Sequence, residues 1–214
     1  MKKLVLVIVI ALLTLTGSGY AGSIAIDFVG FQAAGWQVGS PYYATVNAGS
    51  VTDVMCDDWV HGGLAGDTWQ ANFTNLGTGD ISLLRYNQVP GALVLYDEAG
   101  WLLMQTEIVP RTQWEDINYA VWHIFVPTAP LPGPGSLYWL KLAEEQAAIG
   151  FPGVDFSDVG IYTPINQYDP NSRSPQELLI SPAAIVGAVS TPEPGTLLLL
   201  GSGFAGLLAR KRMS

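Results

Sequence analysis

Charge is scarce in this chain, and basic charge is scarcer still. Only 13% of its 214 residues are charged, where a soluble domain carries about 25%. Nine Lys and Arg stand against 18 Asp and Glu, for a formal charge of −9. So acidic a chain has no surface for phosphates, which excludes nucleic acid as a partner. Cys56 is the one cysteine. That excludes an internal disulfide and a four-cysteine zinc site. With two histidines, His61 and His123, the metal-ligating repertoire is thin, and no metal or cofactor is expected. Gly (24) and Pro (14) are frequent but aperiodic, so the chain is neither collagen-like nor of low complexity. The length suits one ordinary domain or two small ones.

What is present is unevenly placed. Mean hydropathy is +0.30, and the longest apolar runs lie at the two ends. Lys2 and Lys3 precede the apolar run Leu4 to Leu13, and Gly19-Tyr20-Ala21 sets small residues at −3 and −1 of a cut after Ala21. This is the three-part pattern of a secretory signal peptide, residues 1–21. It implies the Sec machinery and signal peptidase. The apolar run falls short of the roughly 20 residues of a permanent span, and no Cys follows it for a lipoprotein cut.

At the other end, Pro192-Glu193-Pro194 precedes an uncharged stretch, Thr196 to Ala209, and then Arg210-Lys211-Arg212. A helix of that length covers about 21 Å, short of the ~30 Å hydrocarbon core, and the basic stop belongs on the cytoplasmic side. It suits a temporary hold in the membrane. In order and position these parts resemble the PEP-CTERM sorting signal of Gram-negative bacteria, residues 191–214. The resemblance implies processing by exosortase, a membrane-embedded cysteine transpeptidase, and an association with biofilm or exopolysaccharide production. The expected destination is the cell surface or the secreted matrix. Two G-x-G-x-x-G strings, Gly17 to Gly22 and Gly201 to Gly206, fall largely or wholly inside these ends and lack the βαβ unit of a dinucleotide fold.

Between the ends lies a body, residues 22–190, with four basic residues (Arg85, Arg111, Lys141 and Arg173), 17 acids and a net charge of −13. Its first third reads as strands: Ile24 to Val29, Tyr42 to Val46, Val51 to Cys56 and Thr68 to Phe73. Trp69, Ala71 and Phe73 share a face, which reads as core packing in preference to a sugar platform. The middle reads as helices over Ala92 to Thr106, Trp114 to Phe125 and Leu137 to Ile149, the last with Ser136 as N-cap after a Pro/Gly loop. Strands return at Val159 to Tyr162 and Glu177 to Ile180, with a polar loop, Ile165 to Pro175, between them. The expected fold class is α+β: a β-rich exported domain with a helical insert.

Cys56 ends a strand in Val54-Met55-Cys56-Asp57-Asp58-Trp59. Tyr96-Asp97-Glu98-Ala99-Gly100-Trp101-Leu102-Leu103 and Asn118-Tyr119-Ala120-Val121-Trp122 follow. This order, over Val51 to Tyr162, resembles the bacterial thioester-domain family and its PEP-CTERM relatives. The resemblance implies an internal thioester between Cys56 and a residue two positions before the Ala-Val-Trp triplet, and covalent capture of amines. The family has Gln there; this chain has Asn118. Asn is one methylene shorter, which draws its carbonyl carbon about 1.5 Å back toward its own backbone. Gln113, five residues earlier, is more than one helical turn away. A buried inert cysteine and an intermolecular disulfide are the other states open to Cys56.

No G-x-S-x-G, H-E-x-x-H or P-loop occurs in the body. His61 with Asp57 and Asp58 is a sparse metal set, Cys56-His61-Asp58 a conceivable nucleophilic one, and His123 beside Trp122 reads as a hydrogen-bonded core histidine. No catalytic residue is assigned. A non-enzymatic surface protein is expected, with extracellular polysaccharide as a partner; a covalent adhesin and a polysaccharide-active enzyme are the alternatives.

Overall fold

A computed structural model describes residues 23–34, 37–165 and 175–181. All fall within the compact unit Gly22–Val189. The signal peptide, Arg173, the PEP motif, the apolar C-terminal segment and its basic stop lie outside the described residues. No helix among the described residues is long and apolar enough to cross a membrane.

Six strands form a closed barrel: β1 (Ile24–Ala34), β2 (Gln37–Val46), β3 (Val51–Cys56), β4 (Thr68–Asn75), β5 (Gly160–Pro164) and β6 (Leu178–Ile180). Their order around the barrel is β1-β2-β3-β6-β5-β4, and every pairing is antiparallel. The period of two sends alternate side chains inward. Ile26, Phe28, Tyr42, Ala44, Val54, Cys56, Ala71, Tyr162, Leu178 and Ile180 fill the interior. Trp69 and Phe73 pack against that cluster, Phe73 with its ring 5.3 Å from Tyr162, which meets the core reading of these aromatics.

The helices are inserted between β4 and β5, two strands that are neighbours in the barrel. They are α1 (Ala92–Gln105), α2 (Trp114–Phe125) and α3 (Pro134–Ala148). Met55, Ile161 and Leu179 project from the barrel's outer face into a second core with Tyr96, Leu102, Ile117, Val121 and Leu140. Helix α2 serves both cores. Its Ile117, Ala120, Val121 and Ile124 face the helical layer, while Tyr119 and Trp122 join the barrel interior. Burial on two sides explains why eight of its twelve residues are buried.

Helix α3 starts earlier than its sequence suggests. Gly133 is the N-cap and Pro134 opens the helix, where its missing N–H costs nothing. Ser136 is therefore the third helical residue and not the cap; its Oγ donates to the Gly133 carbonyl at 3.0 Å. Strand β5 runs on to Pro164, and β6 begins at Leu178 because Glu177 is held by side-chain bonds instead of the ladder. At Gly160 an added Cβ would sit 2.5 Å from the Phe73 ring and 2.9 Å from Ile180, so only glycine lets β5 approach there.

Candidate functional site

The polar chemistry of the body gathers where β3 ends and β6 begins. Cys56 is the last residue of β3 and points into the barrel, so Asp57 and Asp58 leave the strand with no exposure of consequence. Three carboxylates, Asp57, Asp58 and Glu177, are buried here with a single guanidinium, that of Arg85. Charges cannot stay buried without partners, and two of the three have them.

Asp58 pairs with the Arg85 guanidinium. Its Oδ1 also accepts from the Val60 and His61 N–H groups at 3.1 Å each and from the Tyr86 hydroxyl at 3.1 Å. Its Oδ2 lies 2.7 Å from His61 Nδ1, a nitrogen that is also 3.0 Å from Arg85. Partial burial holds His61 below the usual imidazole value. Glu177 accepts from the Tyr96 hydroxyl at 2.6 Å, from the Arg85 N–H at 3.0 Å and from the Thr163 hydroxyl. Arg85 donates to the Pro175 carbonyl at 2.7 Å, and Gln176 to the His61 carbonyl at 2.9 Å. The network thus ties α1, β5, the β3–β4 loop and the segment leading into β6.

Asp57 is the exception. Both of its oxygens are buried without a hydrogen-bond partner. Burial, reinforced by the nearby Glu177 charge, pushes its carboxyl well above the ordinary range.

Cys56 is fully buried and free. Its Sγ exchanges two 3.3 Å bonds with the Asp58 main chain, donating to the carbonyl and accepting from the N–H. Burial, then the Asp57 charge, raises the thiol. It is a protonated thiol, the opposite of an activated nucleophile. The Asp58–His61 half of the imagined nucleophilic set exists, but the thiol is bonded to backbone and not to His61. No group of three or more His, Cys, Asp or Glu with metal-holding geometry occurs among the described residues.

Asn118 does reach the cysteine. From α2 its Nδ2 donates to the Cys56 carbonyl at 2.7 Å, while its Oδ1 is buried and unpartnered. Trp122, one turn on, also has a buried indole N–H without a partner. Gln113 lies in the short 3-10 turn Arg111–Gln113 ahead of α2, outside this cluster. His123 Nδ1 donates to the Ala129 carbonyl at 2.9 Å, half-buried. The sequence pointed to Cys56, Asn118, Asp57, Asp58 and His61. It carried no signal for Arg85, Tyr96, Thr163 or Glu177 as one network, because the bonds that join the others to Glu177 span 14 to 92 residues.

Among known families, the model of the PEP-CTERM protein-sorting motif matches residues 190–212. The match covers Pro192, Glu193, Pro194 and the basic stop Arg210, Lys211 and Arg212. It marks an exported, membrane-passing chain with exosortase as its sorting partner. No curated protein and no solved structure matches the chain.

Proposed function

We propose that this is a non-enzymatic protein of the cell surface or extracellular matrix, with a structural or binding role linked to extracellular polysaccharide. The sorting motif at residues 190–212 carries this reading. The body supports it: its one thiol is buried and protonated, and Asp58 and Glu177 are engaged in bonds that tie the fold together. In this reading the N-terminal segment directs Sec export and is removed after Ala21. The apolar run Thr196 to Ala209 then holds the chain in the cytoplasmic membrane while exosortase acts at Pro192-Glu193-Pro194. The test is the intact mass of the protein recovered outside the cell. Loss of residues 1–21 and of most of 195–214 is expected; a product that keeps residues 195–214 refutes the processing.

One observation favours a second reading, a covalent adhesin of the thioester type. The Asn118 amide and Cys56 meet in a buried site, 2.7 Å from side-chain nitrogen to main-chain oxygen. In that reaction the Cys56 sulfur attacks the Asn118 side-chain carbonyl carbon, the C–N bond breaks, and the amide leaves as ammonia with the thiol proton. The mass falls by about 17 Da. Full mass, together with thiol labelling of Cys56 after unfolding, refutes it.

A further inference from the structure

A groove of about 580 Å³ opens on the opposite side of β3 from the barrel interior, within the few-hundred to ~1,000 Å³ range of ligand sites. It is bounded by β3, by Ser40 of β2, and by the turn between α1 and α2. Its polar lining includes Ser40, Asp53, Glu107, Arg111 and Trp114; Met55 and Leu103 give it an apolar floor. We propose that this groove binds a neutral oligosaccharide. The proposal rests on the surface-protein reading above and names the ligand class for it.

The donors and acceptors are already set. Arg111 pairs with Asp53, and its guanidinium lies over the Trp114 ring, 5.0 Å from the centroid. Trp114 is fixed in turn by its indole N–H, which donates to the Thr106 carbonyl at 3.1 Å. A planar fork of N–H groups beside a carboxylate, held by an aromatic ring, matches vicinal hydroxyls, which donate to one and accept from the other. Ser40 adds an independent mark. It is only 6% exposed, and its Oγ has no hydrogen-bond partner. A hydroxyl buried that far costs free energy unless something supplies a bond, and a ligand hydroxyl in the groove does so.

The same lining argues against other ligands. Arg111 is the groove's one cation and is already matched by Asp53, so an anion finds no free positive charge.

Titration calorimetry of the exported protein with cellotetraose and maltotetraose tests this, beside an acidic tetragalacturonate and a cationic chitosan tetramer. A neutral probe is expected to bind, and Arg111→Gln to weaken it about tenfold, the worth of one charge-assisted bond. Glu107→Gln is a second probe at an exposed position and is expected to weaken the same ligand. Absence of binding by both neutral sugars overturns the proposal. So does binding that neither substitution changes, or tighter binding of either charged probe. A correctly cut protein that binds no neutral sugar refutes the groove alone; retention of residues 195–214 refutes the sorting reading alone.

Discussion

Replacing Glu98 by Gln isolates one buried charge and its pH dependence. Glu98 lies on the inward side of α1 and is 8% exposed. Burial, with the Glu144 charge on α3 adding to it, raises its carboxyl from 4.5 to about 7. A raised carboxyl means the folded state holds its proton over a range where the unfolded chain has released it. Stability from this group is therefore highest below its unfolded value and falls as pH climbs toward 7. The full shift corresponds to about 3 kcal/mol. Residual water contact at the carboxylate reduces that to about 1 kcal/mol. Glu98→Gln removes the charge and keeps the shape, so urea unfolding should show the variant about 1 kcal/mol more stable than the parent at about pH 8, and nearly equal at about pH 4. Comparing variant with parent at each pH cancels the other carboxyls, including Asp97, which burial alone raises to about 6. A gain that is the same at both pH values, or a loss at the higher one, refutes the burial argument.

Three other outcomes are expected. Glu177→Ala removes the acceptor shared by Tyr96, Thr163 and the Arg85 main chain and should cost about 3–5 kcal/mol in denaturant unfolding; a loss under about 1 kcal/mol contradicts the network. Gly160→Ala forces a methyl against Phe73 and Ile180 and should cost about 1–3 kcal/mol with a lowered melting temperature. A thiol reagent should leave Cys56 untouched in the folded protein and modify it once denaturant is added, because the thiol is buried and protonated. Stoichiometric labelling without denaturant would show that the barrel end is open.

Local features were legible in the sequence, and long-range ones were not. The bounds of α2, Trp114 to Phe125, follow from its apolar spacing and from Pro127 beyond it. The sorting motif was readable because its three parts are contiguous. Ser136 was misplaced as a cap because its side chain suits that role, although Gly133-Pro134 opens the helix one turn earlier. Barrel closure left no local trace: β4 and β5 pair across the whole helical insert, and β6 has only three residues. The buried ion pair of Arg85 and Asp58 was equally hidden, since each residue alone looks like an ordinary loop charge.

The three residues of β6 have a consequence for how the molecule is completed. They pair with β3 on one side and β5 on the other, and the sorting motif starts ten residues after Ile180. A ribosome makes this strand after every other described strand and helix of the body. Until it arrives, β3 and β5 each present an unsatisfied edge, the kind of template on which chains stick together. The barrel therefore acquires its sealed state only with its last described strand, ten residues ahead of the segment that directs its sorting.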